Sequence, residues 1–224
     1  IVYLLSPNGA AEITNYRTEK IPSDVDVPEF VQREFKDFYT AMFDTAYRRS
    51  GQNVAFLEYA WNMANCDPCS AEPLSPTELK QAGVFWLDNS NSSDSLPSSA
   101  PMFRGIPPQT SDVFITRLHL RYTPDKFPED LRFQNTANQA LFQGRYVMRR
   151  PYRGEMNCDA AKSYRQVTRQ RQQQEAKTLA NLTGWPLEKI DPKIDFLESI
   201  TDPIPWWRQL WPQSMSWFKA IFHG

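Results

Sequence analysis

A chain of 224 residues that is 41% hydrophobic and 13% aromatic can bury a substantial core, which excludes disorder throughout and implies one large domain or a domain with an appendage. The net charge of −1 is unevenly spread: Gly144 to Lys177 holds nine Arg or Lys against three Asp or Glu, so that stretch carries +6 and the rest −7. No basic field covers most of the surface, which excludes non-specific nucleic-acid binding by the whole protein but permits a local anion site or an internal electrostatic match.

Eighteen prolines against eight glycines indicate long, stiffened connections, as in an irregular α+β domain rather than a repeat protein or helical bundle. Ile1 to Leu5, without an initiator methionine, reads as a strand entered in mid-domain and so as a processed or truncated chain. No cleavable signal peptide is visible, and no apolar run reaches the ~18 residues of a membrane span. Asn8-Gly9 predicts a tight hairpin turn joining residues 1–5 to 10–18. From Pro28, the three-to-four spacing of Phe30, Val31, Phe35, Phe38, Met42, Phe43 and Ala46 predicts an amphipathic helix over 28–49. Val54 to Trp61 predicts a buried strand, with Ala55, Leu57, Tyr59 and Trp61 alternating against Phe56, Glu58 and Ala60; Glu58 is its polar exception.

Ser75 caps a predicted short helix over 76–82, followed by a short strand at Val84 to Leu87. Residues 88–111, rich in Ser, Asn and Pro, read as a mobile loop. Val113 to Tyr122 is the clearest strand, with Phe114, Thr116, Leu118, Leu120 and Tyr122 on one face and Arg117, His119 and Arg121 on the other. Gln143 to Arg150 predicts a further strand, with Arg145 and Arg149 on one face. Asp159 to Asn181 predicts a long Gln- and Arg-rich helix stopped by Gly184 and Pro186.

Three constellations could carry function. Cys66-Asp67-Pro68-Cys69 could support thiol-disulfide exchange if it capped a helix, but Pro68 lies between the thiols and the next helix begins only at Pro76. Cys66, Cys69, Cys158 and His119 would make a nominal zinc set, lacking a second closely spaced pair. A structural disulfide from Cys158 to Cys66 or Cys69 is the expected role, and it implies an oxidising compartment. The second constellation is Arg117, His119 and Arg121, joined by Arg145 and Arg149 if strand 143–150 lies alongside. It forms either a cationic patch able to grip carboxylate or phosphate or an ion-paired face partly neutralised by Glu58. The third is the end of the chain, where Trp206, Trp207, Trp211, Trp217, Phe218 and Phe222 present more apolar surface than so short a helix can hide. Such composition suits a membrane headgroup region or a groove on a partner protein.

With these residues in view, the chain resembles the C-terminal part of the uncharacterised bacterial domain-of-unknown-function family 2330. The matching phrases include Leu5-Ser6-Pro7-Asn8-Gly9, Phe56-Leu57-Glu58-Tyr59-Ala60-Trp61, Cys66-Asp67-Pro68-Cys69, Thr116-Arg117-Leu118-His119-Leu120-Arg121-Tyr122, Phe142-Gln143-Gly144-Arg145-Tyr146 and Leu182-Thr183-Gly184-Trp185. They extend over most of residues 3–185. The resemblance implies an exported bacterial protein with a further N-terminal region, and it supplies no catalytic residue, metal or cofactor.

The expected fold is α+β: a mixed or antiparallel sheet packed by two long helices in a domain over 1–185, a Pro-containing linker over 186–204, and an extended Trp-rich tail over 205–224. The expected function is that of a non-catalytic extracytoplasmic protein, periplasmic or secreted, docking through the tail on a membrane surface or an integral membrane complex. The alternatives are a thiol-redox or other enzyme using Cys66 and Cys69, and an anion-binding module at Arg117 and Arg121.

Overall fold

The structure, a computed structural model, describes residues 1–63, 65, 74–87 and 113–197. The fold is mixed α+β with a mixed sheet. It divides into two compact units that interleave along the chain, one formed by Ile1–Asp26, Glu34–Val147 and Leu182–Gly184, the other by Val27–Arg33, Met148–Asn181 and the chain from Trp185 onward.

The first unit contains β1 (Val2–Ser6), β2 (Ala11–Ile13), β3 (Arg17–Lys20), β4 (Val25–Asp26), α1 (Phe35–Arg49), β5 (Val54–Asn62), α2 (Pro76–Gln81), β6 (Phe114–His119), β7 (Phe133–Asn135), β8 (Phe142–Gln143) and β9 (Tyr146–Val147). Its main sheet runs β1-β6-β5-β3, with β8 also on β5. The β3–β5 pair is parallel, and the other pairs of this sheet are antiparallel.

The expected N-terminal hairpin does not form. β1 pairs with β6 and β2 with β7. A two-residue type I′ turn needs positive φ at both central residues, and neither Asn8 nor Gly9 has it. The Ser6 hydroxyl closes the bend on the Gly9 carbonyl, after which Ala10 N–H donates to Asn138 O at 2.7 Å and Ala11 N–H to Thr116 Oγ1 at 3.0 Å. Glycine is required at position 9 by close approach: a Cβ there would lie 2.6 Å from Asn138 O.

The predicted helix over 28–49 is broken. Pro28 leads a 3-10 turn at Glu29–Gln32, and α1 begins only at Phe35. Phe30 and Val31 are consequently buried in the second unit, while Phe38, Met42 and Phe43 lie under α1 in the first. Phe43 meets Phe56 of β5 edge-on, with ring centroids 5.5 Å apart, so α1 covers one face of the sheet. The opposite face is a core of Ile13, Ala55, Leu118, Leu120 and Phe127, assembled from the alternation read in β5 and β6.

α2 forms as expected, with reciprocal Ser75 and Glu78 hydrogen bonds at its start. Residues 84–87 are not a strand, because Gly83 at φ +95° ends α2 and residues 85–87 form a 3-10 turn. That turn drops Val84 and Leu87 into a cluster with Leu79 and Val113. The expected strand over 143–150 is split at Gly144, whose N–H donates to Glu58 O at 2.9 Å. β8 before it pairs with β5, and β9 after it pairs in parallel with β4.

α3 (Asp159–Thr183), which belongs to the second unit up to Asn181, runs to Gly184 at φ +72°, the stop read from sequence. α4 (Leu187–Ile190) and a 3-10 turn at Asp191–Lys193 follow, so this part of the expected linker is folded and Ile190 is fully buried. Gln172 fastens the returning chain to α3: its Nε2 donates to Asp195 O at 2.9 Å, and its Oε1 accepts from Leu197 N–H at 2.8 Å. The loop expected at 88–111 lies outside the described residues.

Candidate functional site

The site is created by one extra residue in β5. Leu57 faces Leu118 across the β5–β6 ladder and Tyr59 faces Arg117, which leaves Glu58 as a bulge. A bulge turns two successive side chains toward one side and reverses the alternation beyond it. Tyr59 and Trp61, expected opposite Glu58, thereby join its side and stack at 6.0 Å. Ala60, expected beside Glu58, packs with Ala10, Phe114 and Leu57.

Glu58 is 8% exposed, and both of its oxygens are engaged. Oε2 lies 2.8 Å from Arg117 Nε and Oε1 lies 2.7 Å from His119 Nδ1. The arginine contact is one of charge and proximity, because the Nε–H makes no aligned hydrogen bond. The His119 ring lies flat on Phe43 at 3.9 Å, with the Tyr39 hydroxyl 3.2 Å from the same Nδ1. Arg117 also reaches over the Tyr3 ring at 5.5 Å.

Over this pair opens a cavity of about 510 Å³, walled by the rings of Tyr3, Phe35, Tyr39, Tyr59 and Tyr146 and floored by Glu58 and Arg117. Burial, with the nearby Glu58 carboxylate adding to it, pushes the Tyr146 phenol well above its ordinary value of 10.0. The folded state therefore keeps a proton that the unfolded chain gives up in alkali, so Tyr146 contributes stability that is intact below the unfolded value and lost as pH rises past it. Between about pH 10 and 12 the urea midpoint should fall, and Tyr146→Phe should flatten that fall by about 1 kcal/mol per pH unit. An unchanged slope in the variant would show that Tyr146 does not hold its proton.

The other expected patch residues are dispersed. Arg121 pairs with Asp44 and lies 4.9 Å over the Tyr47 ring. Arg145 pairs with Asp24 at 3.2 Å, and Arg149 belongs to the second unit. Only Arg117 and His119 are drawn together, by Glu58. No local pattern in the sequence joins the rings that wall the cavity, whereas Glu58, a charged residue in a buried strand, is a visible sign of the site.

Cys158 is an exposed free thiol; its expected partners, Cys66 and Cys69, lie outside the described residues. Among the described residues no group of three or more His, Cys, Asp or Glu is placed to hold a metal ion, and His119 turns Nδ1 toward Glu58. Trp206, Trp207, Trp211, Trp217, Phe218 and Phe222 are likewise outside the described residues, among which no helix is long and apolar enough to cross a membrane.

Fold and site together define a mixed-sheet α+β protein whose bulged central strand presents a doubly paired glutamate to an aromatic cavity. The chain belongs to the family described as uncharacterised proteins conserved in bacteria, domain-of-unknown-function family 2330, whose sequence model matches residues 8–134. The match includes Tyr39, Glu58, Tyr59, Arg117 and His119 and lies in the N-terminal and middle part of this chain; the phrases at 142–146 and 182–185 are beyond it. No curated protein and no solved structure matches.

Proposed function

We propose that this is a non-catalytic extracytoplasmic accessory protein that holds an uncharged, hydroxyl-bearing ring, such as a sugar unit, in the cavity of its first unit, and that docks on a membrane or membrane complex through residues 205–224. One observation carries the reading: aromatic rings stand open to water around a balanced pair of charges. Tyr3 is 59% and Phe35 43% exposed at the cavity wall, surface that the C–H face of a ring ligand would cover. Glu58 and Arg117 cancel, so a charged ligand gains no net attraction, whereas hydroxyl groups can both donate and accept along the guanidinium and carboxylate edges. With both Glu58 oxygens tied to Arg117 and His119, the group suits holding better than proton transfer. The extracytoplasmic part draws on the export that the family resemblance implies.

Titration with neutral mono- and oligosaccharides, read by calorimetry or tyrosine fluorescence, tests the ligand class. Saturable binding should weaken about tenfold in Tyr3→Ala, the loss of one stacking ring, with little change in unfolding midpoint because the ring is exposed. If no neutral saccharide binds, the sugar reading fails.

A further inference from the structure

The bulge at Glu58 shapes both sides of β5. Leu57 and Ala60 fall together on the side away from α1. Register partners in a sheet share a face, so Leu118 and Thr116 of β6, Lys20 of β3 and Phe142 of β8 stand on that side with them. Over these side chains lies a second cavity of about 390 Å³ within the first unit, walled by Ala10 to Ile13 and by Thr18 to Lys20. It shares no lining residue with the aromatic cavity. Ala10, Ala11 and Ala60 are buried and short, which keeps it open. Its β2 wall is fixed by the Ala11 N–H bond to Thr116 Oγ1 at 3.0 Å and the Ala10 N–H bond to Asn138 O at 2.7 Å.

β2 pairs with β7 and β3 with β5, and no ladder joins β2 to β3. In a parallel pair, alternate residues of a strand bond to the partner. Ile21 N–H donates to Leu57 O at 3.0 Å, which with the β3–β5 register turns the Glu19 and Ile21 backbone toward β5. The N–H and C=O groups of Thr18 and Lys20 are left on the unpaired edge. The Glu19 carboxylate is taken on the α1 side by Arg17 at 3.0 Å and by the Ser50 hydroxyl at 2.6 Å. Lys20 instead holds its ammonium 4.9 Å over the Phe142 ring, a contact that leaves its N–H donors for other acceptors. Glu12, on the β2 wall, accepts from Asn138 Nδ2 on Oε1 at 3.3 Å. Among the described residues neither Lys20 nor Glu12 is in an ion pair.

We propose that this cavity binds a short apolar peptide with free ends, laid along the open edge of β3. The Thr18 and Lys20 backbone groups recur at the two-residue period of an extended chain and pair with about three residues of it. Its side chains cover Leu57, Ala60 and Leu118. The Lys20 ammonium takes the terminal carboxylate and Glu12 the terminal ammonium. A neutral apolar molecule would use neither the backbone edge nor the two charges. The site is independent of the aromatic cavity, and its failure would leave the sugar reading untouched.

The test titrates the full chain by calorimetry with trialanine, with other tripeptides of alanine and valine, and with N-acetyl-trialanine amide. A free-ended tripeptide should bind saturably below about 1 mM, and the blocked peptide at least about tenfold more weakly. Lys20→Gln and Thr18→Pro should each weaken binding about tenfold. The proline removes an N–H that β5 does not use, and an edge strand tolerates it, so the unfolding midpoint should hold while binding falls. Should Thr18→Pro fail to fold, Lys20→Gln and Glu12→Gln carry the test, with losses expected in the same direction. Arg121→Gln, on the α1 side, should leave binding unchanged. Absence of saturable binding by every free-ended tripeptide, equal binding by wild type and variants, or equal binding of blocked and free peptides would overturn the proposal.

Discussion

Replacing Glu58 with Gln should lower the stability of the first unit by about 3 kcal/mol, the lower end of the cost of removing one partner from a buried ion pair. Glutamine has nearly the same shape, so no cavity forms and the loss is electrostatic. Arg117 Nε and His119 Nδ1, at 2.8 and 2.7 Å from the carboxylate, would both lose it at once. The lower end is appropriate because the Arg117 side chain is 38% exposed and water takes up part of its charge. For a chain of this size the melting temperature should fall by roughly 6–12 °C. Arg121→Gln provides the contrast, since Arg121 and Asp44 are both substantially exposed and such pairs contribute less than about 1 kcal/mol. Equal losses in the two variants, read from urea midpoints, would show that the Glu58 cluster is screened like a surface pair.

The elements legible in sequence are those whose signals are local. The Ser75 cap with Glu78 three residues on, the Gly184 stop of α3, and the alternation of β6 each depend on neighbours a few residues away, and each stands in the structure. The Asn8-Gly9 turn was legible as a bend but not as a hairpin. Its outcome depends on Asn138 and Thr116, whose backbone and hydroxyl take the N–H groups that a hairpin would have used.

The bulge at Glu58 lies deeper. Alternation up to Leu57 is as the sequence indicates, and the reversal beyond it leaves no local trace, because an extra residue in a ladder is defined only by the partner strand. The partners of the arginines are hidden from the sequence for a similar reason. Spacing along a strand shows which arginines share a face, but Asp44, Asp24 and Glu58, which pair with them, come from other elements. Phe35, Tyr39 and Tyr146 reach the aromatic cavity in the same non-local way, from α1 and β9.

Removing residues 205–224 should abolish recovery with the membrane fraction or with a larger assembly while leaving the remaining chain folded. The expectation begins with composition: Trp206, Trp207, Trp211 and Trp217 place four tryptophans within twelve residues, and indole rings are most favourably placed where apolar surface is buried and the ring N–H remains satisfied, as at a headgroup region or a partner groove. The described fold reaches Leu197, which is 6% exposed and whose N–H is held by Gln172 Oε1 at 2.8 Å. A cut after residue 204 therefore falls beyond these contacts, and the stability of the remaining chain should change by no more than about 0.5 kcal/mol. Sedimentation of full-length and truncated chains with membranes, beside their urea transitions, separates the possibilities. Equal sedimentation of the two would refute docking through the tail. A truncated chain that unfolds or aggregates would show instead that the tryptophans close the protein's own core, because a segment serving only an external surface can be removed without exposing anything the fold had buried.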